Sequence, residues 1–234
     1  MNNREFAFRD ARESDIPDLV NLENDIWGVE GADKIKIQSR INVFPRGSII
    51  AELNGCILGY QSFQYVNERR DDFTWKQITD DGTIVRSHTM EGEYGYGINL
   101  TIARKAQCTK LGEALSLVAV SRVIEDNKKG SMLGSRIPGF RRYLKKHPQI
   151  TADEYARLSW KGKPRDSELK LYGELGFELV RILPNYFPDP ESLNYGALLF
   201  LPNDFYAKEY RFFISEELRK EAKNLIKMEG KSWE

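Results

Sequence analysis

Alternation of apolar and polar residues opens the chain: Phe6-Ala7-Phe8-Arg9 predicts a short strand. Ser14 or Asp15 then supplies a helix cap, and Pro17 sits near the helix start, where its missing N–H costs little. Ile16, Leu19, Val20, Leu22, Ile26 and Trp27 give that helix one apolar face. A second helix is expected from about Ala32 to Val43, with Ile35, Ile37 and Ile41 at less regular spacing. Ser48 to Leu53 and Cys56 to Val66 are β-rich runs separated by Asn54-Gly55. A type I′ turn needs positive φ at both central residues, which Asn and Gly tolerate best, so these runs predict an antiparallel hairpin.

Asn67 to Glu93 is polar, with a turn signal at Asp80-Asp81-Gly82. It is long for a hairpin connection, and such loops are often functional or mobile. Tyr94 to Ala103 returns to a strand. From Leu111 to about Asn127 the pattern is helical and apolar over much of its circumference, as in a helix buried against a sheet. A short strand is expected near Ser131 to Gly134. Thr151-Ala152-Asp153-Glu154 reads as a capping box, and Asp166 to Leu175 as a helix ended by Gly176. Phe177 to Leu183 and Tyr195 to Leu201 read as the last strands, and the run from Pro184 to Pro190 between them is too proline-rich to be regular. Ile214 to Met228 reads as a charged helix capped by Ser215. The order is β-α-α-β-β-β-α-β-α-β-β with a final helix. Three consecutive strands imply an antiparallel portion, and the strand-helix-strand step from Tyr94 to Gly134 implies a parallel pair. A mixed sheet with helices on its faces follows.

Composition narrows the function classes. The 234 residues carry 35 Lys plus Arg and 35 Asp plus Glu, a net charge of zero. No overall attraction to nucleic acid or acidic lipid follows from that balance. Hydrophobic residues at 41% and aromatic residues at 12% indicate a folded chain. No apolar run approaches the ~18–20 residues of a membrane span. Met1-Asn2-Asn3-Arg4-Glu5 lacks the apolar core of a signal peptide, so a cytoplasmic location is expected. Cys56, Cys108, His88 and His147 are scattered, which gives neither a zinc pattern nor a disulfide framework. No metal is expected, and both histidines are read as surface residues.

The join between the Tyr94 strand and the Leu111 helix carries the chemistry. It runs Ile102-Ala103-Arg104-Lys105-Ala106-Gln107-Cys108-Thr109-Lys110-Leu111-Gly112-Glu113-Ala114-Leu115. A helix starting there aims backbone N–H groups and its positive dipole end at one point, an anion site suited to a pyrophosphate. Gly112 permits close backbone approach. Without a ligand, the same stretch is an ordinary strand-to-helix loop.

At this point the chain resembles the GCN5-related N-acetyltransferase (GNAT) superfamily, whose acetyl-CoA motif is Arg/Gln-x-x-Gly-x-Gly/Ala at the same step. Gln107 falls on the first position and Gly112 on the last. Lys110 stands where the first Gly is usual, and Cys108 where Gly is frequent. The order of elements is similar too, including the late Leu171-Tyr172-Gly173-Glu174-Leu175-Gly176-Phe177. There the superfamily's Tyr commonly bonds the cofactor sulfur and acts as general acid, which nominates Tyr172. The bland alternative is a half-buried helix aromatic. A narrower resemblance, over about residues 74 to 200, is to GNAT domains sometimes fused to a nitrilase-like carbon–nitrogen hydrolase. It rests on Thr74 to Gly82, Gly134 to Tyr143 and Pro184 to Ser192. With about thirty residues after Leu201, no such hydrolase is expected here.

The resemblance implies an α/β (α+β) fold of GNAT type. It has a mixed, mostly antiparallel twisted sheet, a splayed central parallel pair, and helices on both faces. It assigns residues 1–203 to the acetyltransferase domain. Residues 204–234, with Phe205, Tyr206, Tyr210, Phe212 and Phe213, are left as a C-terminal segment packed on it, in a monomer or homodimer. It implies acetyl-CoA as co-substrate, held by Leu100, Ile102, Gln107, Cys108, Thr109, Lys110, Leu111, Gly112, Glu113 and Ala114. An amine would attack the thioester directly, strand N–H groups would stabilise the oxyanion, and a base would take the amine proton. Glu93 is the first candidate base, ahead of Glu23 and Asp25, with Asn99 as a polar lining residue. For each the plain reading is a solvated carboxylate or a satisfied amide. Arg136, Arg141 and Arg142 would hold an anionic acceptor or the cofactor's 3′-phosphate, or form a solvated basic face. Cys108, near a helix N-terminus, also admits an acyl-cysteine route, which this fold does not normally use. The expected function is N-acetylation of a primary amine on a small molecule or peptide, with no nucleic-acid or membrane partner. The alternative is a non-catalytic module binding CoA or another nucleotide, motivated by Lys110 and Cys108 in place of loop glycines.

Overall fold

The structure, a computed structural model, describes residues 6–67, 71–107 and 109–227. The described residues begin with strand β1 (Phe6–Asp10), helices α1 (Ile16–Trp27) and α2 (Lys34–Val43), and strands β2 (Ser48–Leu53) and β3 (Cys56–Val66). Asn54 and Gly55 take φ of 51° and 80°, so both central residues of the β2–β3 turn are left-handed, as the Asn-Gly pair predicts. Next come a short helix α3 (Trp75–Thr79), strand β4 (Tyr94–Ile102), helix α4 (Leu111–Glu125) and strand β5 (Gly130–Arg136). Short helices α5 (Phe140–Leu144) and α6 (Ala152–Ala156) precede a two-residue hairpin, β6 (Ser159–Trp160) and β7 (Lys163–Pro164). Helix α7 (Ser167–Glu174), strands β8 (Glu178–Leu183) and β9 (Gly196–Pro202), and helix α8 (Arg211–Lys227) complete it.

Seven strands form one sheet in the order β1-β2-β3-β4-β5-β9-β8. Only β4 and β5 pair in parallel; the other neighbours are antiparallel. Period-2 alternation decides the layers. Ile49, Ala51 and Leu53 of β2 face α4 and α8, whereas Ile50 faces α1 and α2 together with Tyr60 of β3. Helix α4 is buried along nearly its whole length, with Leu111, Ala114 and Leu115 fully inaccessible. Helix α8 lies against it through Ala222 and Ile226, with Arg219 paired to Glu125. Farther along the same helix, Val120 and Ile124 pack with Leu169, Phe177 and Leu199, so α7 shares that side of the sheet.

Three expectations are corrected. Of the stretch 67–93, residues 71–93 are not merely a polar loop, because Thr74 caps α3 through a capping box, and Phe73, Ile78 and Ile84 are buried. Left-handed Asp80, Asp81, Gly82 and Ile84 fold these residues back onto the sheet, which no periodic pattern could announce. His88 is not a surface residue: its ring stacks on Phe44 with centroids 4.4 Å apart, and Nδ1 accepts the Tyr65 backbone N–H at 3.1 Å. Ser215 does not cap the last helix, which begins at Arg211 and leaves Ser215 Oγ buried without a partner.

Gly134 of β5 carries a packing constraint. A Cβ there would fall within the ring of Tyr186, which is buried and shares a 2.8 Å hydroxyl hydrogen bond with Tyr96. Gly134→Ala is expected to destabilise the fold by about 1–3 kcal/mol in urea titration. Gly112→Ala, whose Cβ would meet Leu100 at an ordinary 3.7 Å, should change stability by far less. Equal effects would show that Tyr186 yields.

Candidate active site

Strands β4 and β5 pair only from Tyr94↔Gly130 to Gly97↔Leu133. Beyond that point β4 stays with β3, as in Asn99↔Ser62 and Leu100↔Gln61, and β5 stays with β9, as in Gly134↔Leu198 and Arg136↔Gly196. A register shift opposite Ser62 and Phe63 marks the parting, with Ile98 the extra residue. The facing edges therefore have no strand between them. A cavity of 270 Å³ opens in this wedge, bordered by Ile98 and Asn99 on one side and by Gly134, Ser135 and Arg136 on the other.

The floor beside β4 is a buried polar network. Arg40 of α2 is 1% exposed. Its Nε donates to the Gly82 carbonyl at 2.7 Å, and Nη1 donates to Ser62 Oγ at 3.3 Å and to Asn99 Oδ1 at 3.1 Å. Asn99 Nδ2 donates in turn to Glu23 Oε1 at 3.0 Å. Glu23 also accepts from Thr101 Oγ1 and from the Ala32 N–H at 2.9 Å. One amide thus joins a buried cation to a buried carboxylate, and a charge in low dielectric persists only with such partners. Trp27 Nε1 donates to Thr101 Oγ1 at 2.8 Å, and Trp75 Nε1 to the Ile98 carbonyl at 3.0 Å.

The opposite wall is α7, whose Glu168 and Tyr172 lie one turn apart and both line the cavity. Ser135 Oγ lies 3.2 Å from Glu168 Oε2. Burial raises the Glu168 carboxyl from its ordinary value near 4.5 to about 7. Asp166 and Asp189 push the same way, while Arg136 and Ser135 oppose it. Burial and the adjacent Glu168 also raise the Tyr172 phenol, so its proton stays on at neutral pH. The Tyr172 ring meets Phe177 edge-on at 5.8 Å, and its hydroxyl has no hydrogen-bond partner among the described residues. Arg136 lies over the rings of Trp27 and Phe187, with its Nη2 donating to Glu30 Oε2 at 3.0 Å.

The loop before α4 lies at the outer end of β4. Gly112 packs beside Leu100 and Ile102, and Leu100 also borders the cavity. Gln107 is exposed, its Nε2 donating to the Ile102 carbonyl at 3.2 Å. Thr109 Oγ1 accepts from the Leu111 N–H at 3.2 Å. Lys110 pairs with Glu113 at 2.6 Å and with Glu174 at 3.8 Å. Leu111 and Ala114 are core residues, and Cys108 lies outside the described residues. The first intrahelical bond of α4 runs from Ala114 N–H to the Lys110 carbonyl, so the earlier amides point off its end. Two strand edges with no strand between them and this helix end fit CoA: the edges suit the amides of an extended arm, and the helix end suits a pyrophosphate. Among the described residues no group of three or more His, Cys, Asp or Glu could hold a metal ion, and no helix is long and apolar enough to cross a membrane.

Other candidates fall elsewhere. Glu93 does not line the cavity; it precedes the paired end of β4, and its carboxylate is bound by Lys129. Asp25 pairs with Arg104 at 3.2 Å on the surface. Arg141 pairs with Glu191, and Arg142 is exposed, whereas Arg136 turns inward. Glu168 is the group the sequence reading missed. Its signal was its place four residues before Tyr172 on the same helix.

No protein-family model matches the chain. It is 28% identical over 209 residues to the protein named Uncharacterized N-acetyltransferase YkwB of Bacillus subtilis (strain 168), covering 86% of this chain and 91% of that protein. It is 32% identical over 200 residues to Probable hydrolase YhcX of the same organism, covering 84% of this chain. The chain spans only 38% of YhcX, so the hydrolase name stays with that protein. Among solved structures, the loading GNATL domain of CurA from Lyngbya majuscula superposes with a TM-score of 0.75 at 22% identity, covering 85% of this chain and 98% of that one. The GphF GNAT-like decarboxylase in complex with isobutyryl-CoA gives 0.68 at 19% identity, over 84% of this chain and 99% of that one. The parted parallel pair, the strand-to-helix loop and these likenesses show that the chain has the GNAT acyltransferase fold and is similar to proteins of that superfamily.

The Glu168 carboxyl gives a stability test. The folded state holds its proton up to about pH 7, whereas an unfolded chain loses it near 4.5. Wild-type stability therefore falls as pH rises through that window and levels off above it. Glu168→Gln has no proton to lose, so its advantage over wild type in urea midpoint should grow from pH 5 to pH 8. A difference that does not change with pH would mean an ordinary carboxyl.

Proposed function

We propose that the protein is an acetyl-CoA-dependent N-acetyltransferase acting on the primary amine of a small molecule. The observation that carries this is the pair Glu168 and Tyr172, a carboxyl near neutrality and a protonated phenol, facing the wedge where β4 and β5 part. The YkwB likeness supports the reaction class. CoA would be held by the first turn of α4 around Gly112, by the loop from Gln107 to Lys110, and by the open edge of β4 at Leu100 and Ile102. Bound acetyl-CoA supplies a thioester, with a carbonyl open to attack and a thiolate able to leave.

Glu168 takes the proton of the incoming ammonium, since only the neutral amine is a nucleophile. Its carboxyl is suited to this because its affinity for a proton lies near the working pH. Tyr172 presents its hydroxyl proton on the same helix face, toward the departing sulfur. The Arg40–Asn99–Glu23 network holds β4 in place and leaves its edge toward β5 open. A base at Glu168 replaces the expectation at Glu93, whose carboxylate is bound by Lys129.

Two outcomes follow. Tyr172→Phe should lower kcat by about 10²–10⁴ while leaving the CoA dissociation constant within about twofold in calorimetry. Full activity of that variant would remove the hydroxyl from the chemistry. The kcat/KM profile should rise through about pH 7, and Glu168→Gln should abolish that limb. Binding of CoA without thiol release from any amine would favour a non-catalytic module instead.

A further inference from the structure

Among the charged groups that border the cavity, Glu23 and Arg40 are already engaged by their neighbours. Glu23 accepts three hydrogen bonds, and Arg40 donates to three oxygens. Arg136 is different. Its guanidinium lies 5.0 Å from the Trp27 ring and 4.6 Å from the Phe187 ring, so aromatic groups hold it at the cavity. Only Nη2 is bound, to Glu30; among the described residues Nε and Nη1 have no partner. Both forks of a guanidinium share Nη2, whose second N–H remains beside the unpartnered Nε or Nη1, so one fork is left that matches a carboxylate taking two parallel N–H bonds. Arg136 is also near enough to Glu168 to be felt by its carboxyl. One cavity therefore offers a cationic edge beside a carboxylate.

The balance of charge and the size restrict the ligand further. Three carboxylates (Glu23, Glu30, Glu168) and three cations (Lys36, Arg40, Arg136) border the space. A polyamine would meet the cations, and a dianion the carboxylates. The 270 Å³ volume is below the ~300–1,000 Å³ usual for drug-sized ligands, and an acyl group must share it. We propose that the acceptor is a small amine that also bears a carboxylate, an amino acid or amino-acid-like zwitterion. Its carboxylate lies on the free edge of Arg136 and its amine faces Glu168. This rests on the N-acetyltransferase reading and adds the acceptor class.

The test pairs each zwitterion with its decarboxylated amine: L-leucine with isopentylamine, L-phenylalanine with 2-phenylethylamine, and glycine with methylamine. Acetyl transfer is followed by thiol release, and binding to the CoA-saturated protein by calorimetry. For at least one pair the zwitterion should be preferred by about ten- to a hundredfold in kcat/KM and in affinity. Arg136→Met, which keeps the bulk between the rings, should collapse that ratio toward one, chiefly through KM. Arg136→Lys should restore part of it. Thermal midpoints of both variants separate a loss of recognition from a loss of fold. Equal or better use of the decarboxylated amines by wild type overturns the acceptor class and leaves the acetyltransferase reading standing. So does a ratio that survives in a folded Arg136→Met. Absence of CoA binding in wild type overturns both.

Discussion

Two parallel strands that pair for four residues and then part leave peptide groups facing each other in the middle of a sheet. Buried backbone N–H and C=O groups must be paired, so a gap of this kind persists only if the rest of the molecule holds it open and something fills it. On the β4 side the parting is fixed by the extra residue at Ile98, by Trp75 bonding its carbonyl, and by Arg40 and Glu23 gripping Asn99. On the β5 side Tyr186 packs against Gly134, where any Cβ would clash, and the strand stays with β9. The cavity, the helix end beside Leu100 and Ile102, and the acid–base face of α7 all lie around this one interruption.

The two walls of the wedge differ in electrostatic character. Beside β4, the buried charges are engaged: Arg40, Asn99 and Glu23 form a chain of donors and acceptors. Along α7 and at the end of β5, charge is left less than fully satisfied. Glu168 has no ion-pair partner at salt-bridge distance among the described residues, and Arg136 has an edge to spare. A network of this kind resists rearrangement and holds shape, whereas under-satisfied groups favour a ligand that completes them. That division separates scaffold from chemistry in this site.

Much of the fold was legible because it is written in local chemistry. Asn54-Gly55 specified the hairpin, Thr151 to Glu154 the capping box of α6, and the apolar circumference of α4 its burial. The strand boundaries of β2 and β3 coincide with the β-rich runs. The stretch 71–93 was not legible, because its burial depends on left-handed residues and isolated apolar side chains, with no period to read. The site was legible only in part. The loop from Gln107 to Ala114 and Tyr172 were placed on their elements by resemblance. Glu93 was chosen for its nearness in sequence to the motif strand, but the strands part at the other end of β4. Arg136 was grouped with Arg141 and Arg142, and alternation along β5 and its exit separates them. Which arginine turns inward is a tertiary fact.

The most direct measurement is amide hydrogen exchange with and without acetyl-CoA. If the parted edges are the seat of the ligand, saturation should slow exchange in residues 98–102 of β4, residues 134–136 of β5 and the first turn of α4. The β2–β3 hairpin and α8 should change little. Saturable binding that leaves those strand amides as exposed as before, with protection gathered elsewhere, would contradict the wedge as the acyl-CoA site.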